Sequence, residues 1–249
     1  MKKITSLILS KLFVSAMSFA QEEDSYVMFD NTRFTVKSDM MKEFGKAMAE
    51  HNQKYHNDGP YHANLWMVTV GEHSGDFIWS MGPCTFSELD GSPDSKEHTE
   101  DWVFNVMPTI EEMHGSNMWR RDGKRSYDGT DEGQSSKLSI TTFDIKPHQT
   151  YRFKSILDRV LKVYQEKEYE YSFSTYWPQF STNPEEDVAI VSGFDKWARF
   201  DKDRNFKADF VEVNGKGSWE NFIEDLQSVI NGSQDEVWVI IEEMSGKSE

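Results

Sequence analysis

Apolar and polar positions in this chain follow one rhythm twice. FTVKSDMMKEFGKAM, residues 34 to 48, runs parallel to FDIKPHQTYRFKSIL, residues 143 to 157. Phe34 matches Phe143, Val36 matches Ile145, Lys37 matches Lys146, Phe44 matches Phe153 and Met48 matches Leu157, with Tyr55 and Tyr164 at the same offset. In each copy the period changes part-way. Strict alternation in VMFDNTRFTVK and KLSITTFDIK predicts a strand with one buried face. It then gives way to stripes at 41, 44, 48, 51, 55 and at 150, 153, 157, 160, 164, the spacing of a helix with one apolar side. The helices are expected from Asp39 to about His56 and from Gln149 to about Glu166, with Ser38 and the Pro147-His148 step as their starts.

Beyond the helices the order of signals also repeats. YHANLWMVTV and DFIWSMG read as two strands in the first copy, YEYSFSTYW and DVAIVSGF in the second, separated by Gly, Ser, Asn or Pro. A second helix is expected from about Trp102 to Met113 and from Ser218 to Ile230. Trp102 stands eleven residues before Met113 with Gly115-Ser116 following, and Trp219 stands eleven before Ile230 with Gly232-Ser233 following. Closing strands are placed at about Asn117 to Arg121 and in EVWVIIEEM. The order βαββαβ, twice, is the split βαβ or ferredoxin-like pattern, so the class is α+β. Residues 21–125 form the first repeat, 126–136 a linker without apolar periodicity, and 137–249 the second repeat.

This tandem arrangement resembles the dimeric α+β barrel superfamily, the antibiotic-biosynthesis-monooxygenase and NIPSNAP-like proteins, over almost all of the chain after residue 20. The resemblance implies two fused units forming an intramolecular barrel, with a pocket between each sheet and its helices. Different members use that pocket for cofactor-free oxygenation, for haem binding or degradation, or for ligand binding, and fold alone does not choose among these.

Any chemistry must therefore rest on individual residues. His51 falls on the apolar stripe where the second copy has Val160, a titratable ring on a face that should meet the sheet. With Asn31 and Arg33, which alternate along the first strand and share a face, it forms the candidate catalytic set; the second copy has Ile140 and Thr142 there. A site is accordingly expected in the first repeat, with the second mainly structural. His56, His62, Trp66 and Trp79 are candidate ligand-binding residues, the tryptophans suited to a flat or aromatic ligand. A metal site is not expected, because residues five apart on an ideal helix point about 140° apart. His73, His98, His114 and His148 fall at predicted turns or helix boundaries and are expected to be solvated. Trp102 and Trp219, kept by both copies, are expected in the core.

Asp201, Asp203, Asn205, Asp209 and Glu212 in DKDRNFKADFVE stand at calcium-loop spacing. Phe206 occupies the place where such a loop needs glycine, so a weak calcium site is the minor reading and turn formation the main one. There is no Gly-rich phosphate loop, G-x-S-x-G elbow, H-E-x-x-H or paired-cysteine motif. No motif names a cofactor or a reaction.

Composition narrows the partners. The formal charge of −16 opposes nucleic acid and anionic surfaces. MKKITSLILSKLFVSAMSFA reads as an export signal, residues 1–20, cleaved after Ala20 and directing the chain to a periplasmic or extracellular space. Losing Lys2, Lys3 and Lys11 with it would move the formal charge from −16 to −19. Cys84 is the single cysteine, which excludes an intrachain disulfide, and is expected to be buried and inert. The expected function is binding of a small apolar or aromatic ligand, extended to oxygenase-like or haem-related activity in the first repeat. The alternative is a structural or interaction protein without a functional pocket. With the repeats fused, a monomer suffices.

Overall fold

A computed structural model describes residues 26–129, 135–181, 183, 186–202 and 205–247. Residues 1–20, expected to act as an export signal, and Asp203 lie outside the described residues. Strand β1 (Met28–Val36) leads to helix α1 (Met41–Tyr55), then β2 (Ala63–Val70), β3 (Phe77–Cys84), the short helices α2 (Phe86–Leu89) and α3 (Lys96–Asp101), and β4 (Ile110–Arg121). The second half repeats this with β5 (Lys137–Ile145), α4 (Thr150–Glu166), β6 (Ser174–Pro178), β7 (Val188–Phe194), α5 (Phe206–Asn214), α6 (Ser218–Val229) and β8 (Ile230–Ile240).

The eight strands close into one barrel in the order β1-β3-β2-β8-β5-β7-β6-β4. Each half contributes the ferredoxin-like order, 4-1-3-2 and 8-5-7-6, and every pairing is antiparallel. Two seams join the halves. At one, β2 pairs with β8 from Trp66↔Ile240 to Val70↔Val237; at the other, β4 pairs with β6 from Trp119↔Pro178 to Arg121↔Tyr176. Closure joins the halves within one chain, so neither needs a second copy to complete its sheet, while residues 111–117 of β4 and 231–235 of β8 pair on one side only.

Helices cover the outside of the barrel, and the apolar stripes bury where their spacing places them. Phe34, Phe44, Met48 and Phe77 fill the first helix–sheet layer, with Trp102 packed against it. Phe153, Leu157, Phe210 and Phe222 fill the second, with Trp219 beside them. A fully buried Phe, such as Phe34 or Phe44 at 0% exposure, contributes about 1.5–3 kcal/mol.

The two halves diverge most between the third and fourth strands. The helix expected over 102–113 lies earlier: α3 starts after Ser95, whose hydroxyl accepts the His98 N–H at 3.1 Å, and Asp101 is followed by a π turn at Trp102–Val106. Pro108 sits in the final 3-10 turn, and the chain then extends, so β4 begins at Ile110 rather than Asn117. In β8 the shift is similar: the strand starts at Ile230, while Glu242–Met244 leave it as a 3-10 turn. Strand β6 is shorter than YEYSFSTYW implied, and Phe173 makes only an isolated bridge to Tyr127 of the linker.

Residues 206–214, read as a turn, form α5. Its carboxylates do not wrap a loop: Tyr169 donates to Asp209 Oδ2 at 2.6 Å, and Lys167 Nζ lies 2.6 Å from Glu212 Oε1.

Candidate functional site

Closure of the barrel places one face of every strand inside. On β1 the period-2 alternation turns Phe34 and Val36 to the helices, and Phe29, Asn31 and Arg33 to the interior. A cavity of about 730 Å3 occupies this interior, within the range of small-molecule sites. It lies on the opposite side of the sheet from the expected pocket. The layers between sheet and helices are filled by long apolar side chains.

Both repeats build its wall. Trp66, Ile78 and Trp119 come from the first, and Ile140, Tyr176 and Trp238 from the second. Ile140 and Thr142 are thus cavity residues like their counterparts Asn31 and Arg33, and the expectation of a site confined to the first repeat does not hold for this cavity.

Arg33 is not a free cation. Its two terminal nitrogens donate to Glu236 Oε1 and Oε2 at 2.9 and 2.7 Å, a fork-to-fork pair across the repeats. Trp238 Nε1 adds a third donor to Glu236 at 2.7 Å. Burial alone would raise the Glu236 pKa, but Arg33 and Trp238 outweigh it and the carboxyl titrates below its ordinary value. Glu186, also on the cavity wall, is pushed up by burial despite the Arg33 charge. Beside them the Thr35 hydroxyl donates to Asp76 Oδ1 at 2.8 Å, so the His114 Nε2 at 2.7 Å must donate to Thr35.

Asn31 and Asn117 face each other across the β1–β4 pair and both line the cavity. Their Oδ1 atoms are buried without a hydrogen-bond partner. A ligand N–H or O–H reaching either oxygen would give it a hydrogen-bond partner.

His51, His56 and Trp79 belong to the other side of the sheet. The stripe carries His51 to 1% exposure in the helix layer, where its Nδ1 donates to Asp101 Oδ2 at 2.7 Å. Asn52 accepts from Trp79 Nε1 at 2.9 Å. The expectation that His51 and His56 diverge fails because α1 ends at Tyr55. His56, the C-cap at φ −134 and ψ 40, leaves the helical path, and the two rings come to 5.3 Å. His98, expected in solvent, is half-buried and stacked 4.9 Å from His51. Burial lowers the pKa of His51, and that of His56 to about 4, so both rings are neutral near pH 7.

His62 does line the cavity, but its Nε2 donates to Gly246 O at 3.0 Å. Three of the histidines, His51, His62 and His114, are not free to ligate a haem iron. His51 has rings of Tyr55, His56, His98 and Trp102 within 5.3 Å, leaving no flat slot beside it, and His62 and His114 commit their Nε2 atoms to protein partners.

No protein-family model and no curated protein sequence matches the chain. Solved structures do. A presumed monooxygenase from Lactobacillus acidophilus NCFM superimposes with a TM-score of 0.53 at 13% identity, covering 87% of this chain and 94% of that one. An anthrone oxidase-like protein gives 0.52 at 12%, with 88% and 92% covered. Chlorite dismutase from Candidatus Nitrospira defluvii, in complex with imidazole, gives 0.53 at 7%, with 88% and 93% covered. The fold is therefore the dimeric α+β barrel, with both halves supplied by a single chain. At these identities the likeness establishes architecture, and the site chemistry must come from the residues themselves.

Proposed function

We propose that this protein binds a small, flat or aromatic molecule carrying hydrogen-bond donors in the interior of its barrel. The observation that carries the reading is the pair of partnerless acceptors, Asn31 Oδ1 and Asn117 Oδ1, set in an aromatic-walled cavity of about 730 Å3. Trp66, Trp119 and Trp238 supply ring contact, while the paired charges of Arg33 and Glu236 mark a polar end.

The test is a fluorescence titration of a panel of phenolic and polycyclic aromatic ligands, read through the wall tryptophans. Asn31→Leu should weaken binding about tenfold or more, the loss of one good hydrogen bond. His51→Val should leave affinity unchanged, because His51 lies behind the sheet. Absence of saturable quenching by any ligand, or equal affinity of wild type and Asn31→Leu, would overturn the reading. Oxygenase-like chemistry, of the kind named for the monooxygenase and anthrone oxidase-like neighbours, is the catalytic form of this proposal; oxygen uptake with the ligands that bind tests it. Residues 1–20 are proposed to direct export, which N-terminal sequencing of the secreted protein checks at Gln21.

A further inference from the structure

His51, His56 and His98 are three histidines in one small volume behind the sheet, away from the barrel cavity. One ring nitrogen of each lies within 4.8 Å of one from each of the others. His51 and His56 are 1% and 3% exposed, and His98 is half-buried, so one side of the cluster faces outward.

The hydrogen bonds around the cluster set its tautomers. His51 Nδ1 is held by the Asp101 carboxylate at 2.7 Å, and His56 Nδ1 by the Tyr61 carbonyl at 2.9 Å. Both partners accept only, so each Nδ1 carries the proton and each neutral ring keeps its lone pair on Nε2. His56 Nε2 lies 3.1 Å from His98 Nε2. Two imidazole nitrogens bound tetrahedrally at about 2.0–2.1 Å from zinc would be about 3.3–3.4 Å apart, within a few tenths of this spacing. A carboxylate behind one ligand ring and a backbone carbonyl behind another are the outer partners that metal-binding histidines use for orientation. Asp101 is itself braced by Asn105 Nδ2 at 2.7 Å.

We propose that His51, His56 and His98 form a site for a divalent transition-metal ion, zinc by class, with a fourth position open toward the outward side of His98. All-imidazole ligation suits zinc and its neighbours in the first transition row and disfavours calcium or magnesium. The ion would tie α3 to the C-terminal end of α1. At the repeat offsets the second half has Val160, Gln165 and Gly215 in these places, so it offers no such set and one ion per chain is expected.

The experiment is isothermal titration calorimetry of Zn2+ into untagged, chelator-treated protein, with the visible ligand-field spectrum of Co2+ as a second readout. Wild type should bind one ion per chain and give the intense bands of tetrahedral Co2+. His98→Ala, at the half-exposed ligand, should bind at least about 100-fold more weakly, while Asp101→Asn should weaken binding about 10- to 100-fold. His148→Ala, a change at an exposed histidine remote from the cluster in sequence, should match wild type. Circular dichroism on each variant separates loss of a ligand from loss of fold, and His56→Gln serves if His98→Ala unfolds. No binding at one ion per chain, or binding that folded His98→Ala and His56→Gln retain at full strength, would overturn the proposal. Neither outcome bears on the barrel cavity, whose ligands are read without metal.

Discussion

Replacing Arg33 by methionine keeps most of the stem volume and deletes the fork that grips Glu236. The carboxylate, 9% exposed, would then hold one donor, Trp238 Nε1, in place of three. Breaking a buried ion pair from one side costs about 3–5 kcal/mol. The Arg33 and Glu236 side chains keep 18% and 11% of their exposure, so partial hydration from the cavity should bring the loss to about 2–3 kcal/mol. In urea, at a slope of about 2–3 kcal/mol per molar, that is a midpoint shift of about 1 M.

In the wild type the Glu236 pKa is depressed in the fold, so its contribution to stability is present above the unfolded carboxyl pKa and lost as pH falls through the folded one. Without Arg33, burial is left to raise the same pKa, so acidification should neutralise the stranded charge and shrink the penalty. Equilibrium urea unfolding at pH 7 and at pH 4.5, on wild type, Arg33→Met, Glu236→Gln and the double variant, reads both effects. The double-mutant coupling should be about 2 kcal/mol at pH 7. Coupling under about 0.5 kcal/mol, or a penalty for Arg33→Met that does not diminish at pH 4.5, would refute the reasoning.

Three further outcomes are expected. Gly246→Ala would drive a Cβ into the backbone carbonyl of His56, displacing the tail that donates from Gly246 N to Ala63 O at 2.8 Å; a loss of about 1–3 kcal/mol by urea unfolding is expected, and an unchanged midpoint would contradict it. Cys84, buried and with its thiol pushed up to about 11, should resist iodoacetamide at pH 8 in the folded protein and react readily in denaturant; fast native alkylation would show the burial to be wrong. Calcium should leave the melting temperature unchanged, since Asp209 and Glu212 on α5 are already engaged by Tyr169 and Lys167; a clear upward shift would restore the calcium reading.

The duplication, the strand–helix order and the core-facing stripes were legible because period 2 and period 3.6 are local properties of the chain. Phe44, Met48, Phe153 and Leu157 are buried for that reason. Even the anomaly at His51 was visible as a polar residue on an apolar face. Ser95 ahead of His98 is an N-cap pattern and Thr85 with Glu88 is a capping box, local signals that start the short helices before Trp102. Glu236 and Trp238 alternate on β8 as Asn31 and Arg33 do on β1, so the same period-2 signal marks both pairs.

From its sequence alone this chain declared two ferredoxin-like units and which face of each strand meets a helix. Which space the other face encloses was decided only by closure at the β2–β8 and β4–β6 seams, where residues more than fifty positions apart become neighbours. That closure moved the candidate cavity inside the barrel, gave Arg33 a partner 203 residues away, and made the second repeat an equal contributor. The meeting of His51, His56 and His98 likewise depended on where α1 stops and how α3 returns over it. Periodicity reports the direction of a side chain within its own element, and it carries no information about which distant element will stand opposite.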